Sequence, residues 1–145
     1  VQLVWRPAYA CGNEVIDREH RELFVHANTL LAAMLGDQPV ADVSAGIDVL
    51  LAGVVEHFKD EEAIIATAGF KGTAEHRAVH NQLLDRALTL VGRFHAGILG
   101  VGELFQFLGY DLVAQHMLSA DREFFAALRS HGRSHATERD SDSMA

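Results

Sequence analysis

Four stretches of this chain carry apolar residues at alternating spacings of three and four, and no other pattern in the sequence competes with them. In the first, Leu23, Phe24, Ala27, Leu30, Leu31 and Met34 line one helical face. That helix starts after Asp17, a capping residue by type, and closes at the turn residues Gly36, Asp37, Gln38 and Pro39. The second stretch runs from about Asp42 to Ala68 through Ile47, Leu50, Val54 and Ile64, and breaks between Gly69 and Gly72. The third, with Thr73 as its expected cap, carries Leu83, Ala87, Leu90 and Phe94 and ends ahead of Gly97, Gly100 and Gly102. The fourth reads Phe105, Leu108, Leu112, Ala120, Phe124 and Leu128. No segment alternates with period two, so no sheet is expected. The prediction is an all-α fold, an up-down-up-down antiparallel four-helix bundle with short connections.

The ends of the chain read differently. Val1 to Gly12 holds Trp5, Pro7 and Tyr9, and is expected to lie over the bundle as an N-terminal arm, so that arm and bundle occupy residues 1–131. Residues 132–145 turn to Gly, Ser, His, Thr and mixed charge, which predicts a disordered polar tail or linker.

Composition excludes several functions. Twelve basic residues against 20 acidic ones leave a net charge of -8, the wrong sign for a nucleic-acid footprint. The single cysteine, Cys11, cannot form an intramolecular disulfide. No apolar run has the length of a membrane span, and Val1 to Ala10 lacks the basic-then-apolar order of a secretory leader. A cytoplasmic setting is therefore expected.

The chemistry lies in where polar residues interrupt the stripes. His57 and Glu61 occupy seam positions between Val54 and Ile64, and His76 and His80 do so ahead of Leu83. His20 and His116 sit inside the first and fourth apolar series. Burying an imidazole or carboxylate at such positions is costly unless it is paired or bound to metal. Residues four apart on an α-helix differ by only about 40° in projection and about 6 Å along the axis, so both pairs present two ligands to one interior point. His116 and Asp121 are five apart, about 140° around an ideal helix. Either Asp121 reaches around, or a local widening such as a π-bulge brings it in. His26 lies six residues from His20, about 240° around the helix, and faces elsewhere. His95, His131 and His135 are also expected outside the site.

Five histidines and two carboxylates exceed a tetrahedral zinc set and are too rich in nitrogen for calcium or magnesium. They suit iron, with manganese possible, and fit two metals best. If Glu61 and Asp121 each bridge, the histidines divide three and two, and one metal keeps an open position. With so few anionic ligands, such a centre is expected to bind dioxygen and release it without breaking the O–O bond.

These residues resemble the bacterial hemerythrins over Trp5 to about Leu128. The resemblance rests on Trp5, on Gly12 with Ile16-Asp17-Arg18-Glu19-His20 and Leu23-Phe24, and on His57-Phe58-Lys59-Asp60-Glu61-Glu62. It continues in His76-Arg77-Ala78-Val79-His80 and His116-Met117-Leu118-Ser119-Ala120-Asp121. It implies two non-heme iron ions joined by an oxo or hydroxo bridge, with dioxygen as the ligand of one of them. His76, His80 and His116 would hold the six-coordinate iron, His20 and His57 the five-coordinate one, and Glu61 and Asp121 would bridge. Phe24, Phe58, Ile64 and Leu112 would keep water out. Where many bacterial members carry a methionine near Ile64 or Ile65, a Tyr-Pro at Phe70-Lys71 and a Trp near Leu112, this chain differs.

Several roles are compatible with such a site. The chain would be an oxygen carrier or store, or an oxygen-sensing domain whose tail leads to a C-terminal output domain or signalling partner. Alternatively it would be a redox or nitric-oxide sensor, or a di-iron peroxidase-type enzyme. The ligand set favours binding over catalysis, so no enzyme activity is expected.

Overall fold

The structure is a computed structural model, and it describes residues 3–36, 38–116 and 124–130. Helix α1 spans Glu14–Leu35, α2 spans Val40–Thr67 and α3 spans Thr73–His95. Helix α4 begins at Val101–Phe105 and widens into a π-helix over Gln106–Gln115. Residues 125–130 form a further helical segment, and no strand occurs among the described residues. Around the bundle α1 packs on α2, α2 on α3, α3 on α4, and the π-helical part of α4 returns to α1. The all-α four-helix bundle is as the apolar stripes predict. The tail, residues 132–145, lies outside the described residues.

Helices α2 and α3 end in the same way, which fixes the direction of the two following loops. Gly69 and Gly97 adopt φ of 80° and 76°, a left-handed geometry that any side chain would strain. The next amide, of Phe70 or Ile98, then donates back to the carbonyl of Ile65 or Arg93, satisfying the last turn.

Three helix boundaries differ from expectation. The cap of α1 is Asn13, whose side chain accepts from the Ile16 amide at 3.1 Å. Asp17, expected there, lies in the first turn, and its carboxylate accepts from the amides of Cys11 at 2.8 Å and Gly12 at 3.1 Å. Thr73 is the first residue of α3 and makes no cap; its hydroxyl donates to the Phe70 carbonyl at 2.6 Å. Helix α2 begins at Val40, two residues before Asp42, because Pro39 supplies an extended entry and has no amide to lose.

The arm does lie on the bundle. Leu3 and Asn28 exchange two hydrogen bonds, at 2.8 and 2.7 Å. A 3-10 turn at Pro7–Tyr9 sets the Trp5 ring edge-on to Tyr9 and to Phe24, with centroids 5.5 and 5.6 Å apart.

The core is divided. A long apolar cluster contains Leu23, Phe24, Ile47, Val54, Phe58, Leu108 and Leu112, and a short one contains Cys11, Ile16, Ile65 and Phe124. Along α1 the order is Ile16, His20, Leu23; along α2 it is Val54, His57, Glu61, Ile65. A polar layer therefore sits between two apolar ones.

Cys11 belongs to the short cluster and also borders a cavity of ≈ 510 Å³ with Asn13, Ile64, Thr67 and Leu128. Burial pushes its thiol up from 9.0 to about 12, opposed by a hydrogen bond from Asn13 and reinforced by Asp17. A raised thiol pKa contributes stability that is complete below pH 9 and lost as pH climbs toward 12. At pH 8, three pKa units leave roughly a thousandth of the thiolate of an ordinary cysteine. Iodoacetamide should therefore label the native chain at least about 100-fold more slowly than the urea-unfolded chain. Equal labelling rates would show that Cys11 is not held this way.

A candidate metal centre in the polar layer

A spacing of four places two of these side chains on each of α2 and α3, and the fold closes them onto His20 of α1 and His116. His20 is 1% exposed, His57 1%, Glu61 0%, His76 4%, His80 1% and His116 5%. Glu61 stands at the middle. Its Oε2 lies 2.9 Å from His57 Nε2 and 3.4 Å from His20 Nε2, while its Oε1 lies 2.6 Å from His76 Nε2 and 3.3 Å from His80 Nε2. The Nε2 atoms of His20 and His57 are 2.9 Å apart, and those of His80 and His116 are 3.0 Å apart. The donor atoms thus form two groups that share Glu61: His20 and His57 on one side, His76, His80 and His116 on the other.

Six of the seven residues expected at the site are brought together. The seventh, Asp121, lies outside the described residues, and with it the step from His116. A widened helix is present, but it ends at Gln115, ahead of His116. There Gly109 leaves space that the Phe105 ring fills: a Cβ at 109 would meet that ring at 2.6 Å. Recurrence of Leu108, Leu112 and His116 every four residues reads as ordinary α-helix, so the widening has no signature in the pattern.

The electrostatics match the geometry. Burial alone would push the Glu61 carboxyl up, but hydrogen bonds with His20, His57, His76 and His80 hold it well below the usual carboxylate range. Burial also lowers His80 below its ordinary value, against the raising influence of Glu61, while His116 and His76 lower it further. A neutral imidazole is the form that binds metal.

Hydrogen bonds alone are a poor account of this layer. Four imidazole nitrogens converge on the two oxygens of one carboxylate, and two pairs of Nε2 atoms face each other at 2.9 and 3.0 Å. A cation at each cluster of nitrogens would use lone pairs that otherwise oppose one another, so the residues present fit a metal. The nitrogen-rich set suits iron.

Aromatic rings close the layer. Phe58 stacks parallel on His80 at 3.7 Å and meets His116 at 5.4 Å. Phe24 and Leu112 are buried in the long cluster, as expected of the water-excluding wall. Ile64 is only half-buried and packs instead with the short cluster. Two neighbours were not anticipated: Trp5, 6.2 Å from the His20 ring, and Phe124, edge-on to His76 at 5.4 Å. Trp5 comes from the arm, so only the folded chain shows it beside His20.

His26 is half-buried and lies with Arg18, Arg21, Glu22 and Val25, apart from the cluster. His95 is exposed at the end of α3. His26→Ala should leave metal content and the visible spectrum of the loaded protein unchanged; a shifted spectrum would show that His26 communicates with the layer.

Residues 11–128 match the hemerythrin HHE cation binding domain. The chain belongs to the hemerythrin family. It is 30% identical to a bacteriohemerythrin of Stenotrophomonas maltophilia over 96% of this chain and 90% of that one. It is 29% identical to a bacteriohemerythrin of Methylococcus capsulatus over 73% and 80% of the two chains. A hemerythrin-like protein of Naegleria gruberi is 31% identical over 59% of this chain and 66% of its own. No solved structure matches at a significant level. Membership of this cation-binding family and the buried His/Glu cluster together support non-heme iron binding by this chain. Among the described residues, no helix is long and apolar enough to cross a membrane.

Proposed function

We propose that the chain binds dioxygen reversibly at a pair of non-heme iron ions and acts as a carrier, a store or an oxygen-sensing domain. The observation that supports this most directly is the division of Glu61, whose two oxygens face two separate groups of histidines. A carboxylate placed this way suits a bridge between two metals. His20 and His57 would hold one ion, His76, His80 and His116 the other, and Asp121 would supply the second bridge. Two ferrous ions held by these residues would supply the two electrons that dioxygen binding requires.

The chain's own residues set the conditions for release. Five imidazoles against two carboxylates give little anionic charge to stabilise highly oxidised iron, which favours binding over cleavage. Phe58 against His80, Phe24 behind Trp5, and buried Leu112 keep bulk water from the layer and so slow irreversible oxidation. Of the nearby carboxylates, Glu61 is committed to four histidines and Glu19 faces His57. The nitrogen-rich ligand set thus favours a binding protein over an enzyme.

The test is a cycle of oxygenation. Iron-loaded protein is reduced under argon, exposed to air and returned to argon while its visible spectrum is followed. A band that appears with oxygen and disappears on its removal, over repeated cycles, is the expected result. Direct conversion to a stable ferric form would overturn it, in favour of redox or nitric-oxide sensing or peroxide chemistry.

A further inference from the structure

Two carboxylates outside the cluster address the far sides of its rings. Glu19, one residue before His20 on α1, places Oε1 2.9 Å from Nδ1 of His57 on α2. Glu62, one residue after Glu61 on α2, places Oε2 3.7 Å from Nδ1 of His80 on α3. The same arrangement thus occurs twice, each time from the helix before the one that carries the histidine, and once in each group of donors. The two grips are unequal. Glu19 is within hydrogen-bond reach of its histidine, with Asp60 also against it. Glu62 stands farther off: its other oxygen accepts from Arg77 Nε at 3.0 Å, and His80 Nδ1 has no hydrogen-bond partner. Both carboxylates are largely covered, whereas the Arg77 side chain is 58% exposed.

We propose that Glu19 and Glu62 are positioning residues, Glu19 for His57 and Glu62 for His80. Glu19 accepts from the Nδ1–H of His57 and Glu62 faces that of His80 from 3.7 Å, and each so turns the Nε2 lone pair toward the metal. Arg77 ties Glu62 to the surface and sets its reach. A histidine ligand whose remote N–H is held by a carboxylate keeps one ring orientation and one tautomer, and losing that partner typically costs 10- to 100-fold in metal affinity. Because the two carboxylates serve different groups, each substitution should weaken one half of the centre. This rests on the metal-binding reading above.

The experiment is a titration of the metal-free full chain with Co(II), followed by its absorption, for the wild type, Glu19→Leu, Glu19→Gln, Glu62→Leu and Glu62→Gln. The wild type should take up metal in two equivalents. Each leucine variant should weaken one equivalent by 10- to 100-fold and leave the other within about threefold, with the glutamine variants recovering most of the loss because the amide oxygen still accepts. Arg77→Ala, a surface change that should not affect folding, is expected to weaken the same equivalent as Glu62→Leu by a few-fold. A readout that needs no metal is the histidine ring 15N spectrum of the apo chain. There the His57 resonances should show the Nδ1–H tautomer in the wild type and Glu19→Gln, and lose it in Glu19→Leu. Unchanged affinities in every variant, or equal losses in both equivalents, would overturn the proposal. A wild type that takes up no cobalt or iron would overturn the metal reading itself.

Discussion

Glu61→Ala should lower the iron content well below the two per chain expected of the intact protein. Glu61 has no exposed surface, and it is the one described carboxylate within reach of both groups of histidines. Without it, His20 and His57 would keep two nitrogens but no described carboxylate on their Nε2 side, since Glu19 meets His57 at Nδ1. His76, His80 and His116 would keep three nitrogens, but without the charge that offsets a divalent cation. The loss should exceed the 10- to 100-fold typical of an outer partner, so at least about 100-fold for the more weakly held ion. Metal analysis after gel filtration reads the effect. Full retention of iron would show that the carboxylate does not bridge. Glu61→Gln should fall between, since it keeps the oxygen acceptor and loses the charge.

The second large effect concerns stability. Asp17 is buried and accepts from two backbone amides, those of Cys11 and Gly12, at the point where the arm turns into α1. Asp17→Leu would leave the buried Cys11 amide without its partner, at a cost of about 1–3 kcal/mol, while the amide of exposed Gly12 would turn to water. It also removes an anion from the first turn of α1, where the helix dipole favours one. A total loss of about 1–4 kcal/mol is expected in urea unfolding of the metal-free chain, with Asp17→Asn losing less. An unchanged midpoint would mean that the arm's turn is held by something else. Trp5 rests on Phe24 and beside His20, so loosening the arm should also speed irreversible oxidation of the loaded centre.

Asp17 illustrates what could and could not be read before the fold was known. Its residue type suits a cap, and so does that of Asn13 four positions earlier; sequence pattern does not choose between them, and the tertiary return of Cys11 and Gly12 does. Thr73 and Pro39 repeat the lesson at the starts of α3 and α2. The ligand pairs were legible because a spacing of four is a geometric statement about a helix, independent of what the helix packs on. The division of the histidines into two groups came from family resemblance, and the Glu61 distances agree with it.

Glu19 and Glu62 stand in the same motifs as the ligands, yet their roles had no local signal. A neighbour one position along a helix points about 100° away, toward what reads as the solvent face. Only the next helix turns that face into a contact with a ring. The π-helix over Gln106–Gln115 was hidden for a related reason: its apolar residues recur at spacings that an α-helix also explains.

The most direct test of a two-metal centre is an anaerobic titration of the metal-free chain with ferrous iron, followed by iron analysis of the desalted product. Two irons retained per chain, with the break in the titration at two equivalents, is the result expected from a carboxylate shared between two groups of histidines. A break at one equivalent, with all six described residues still required, would contradict it and make Glu61 a ligand of a single ion.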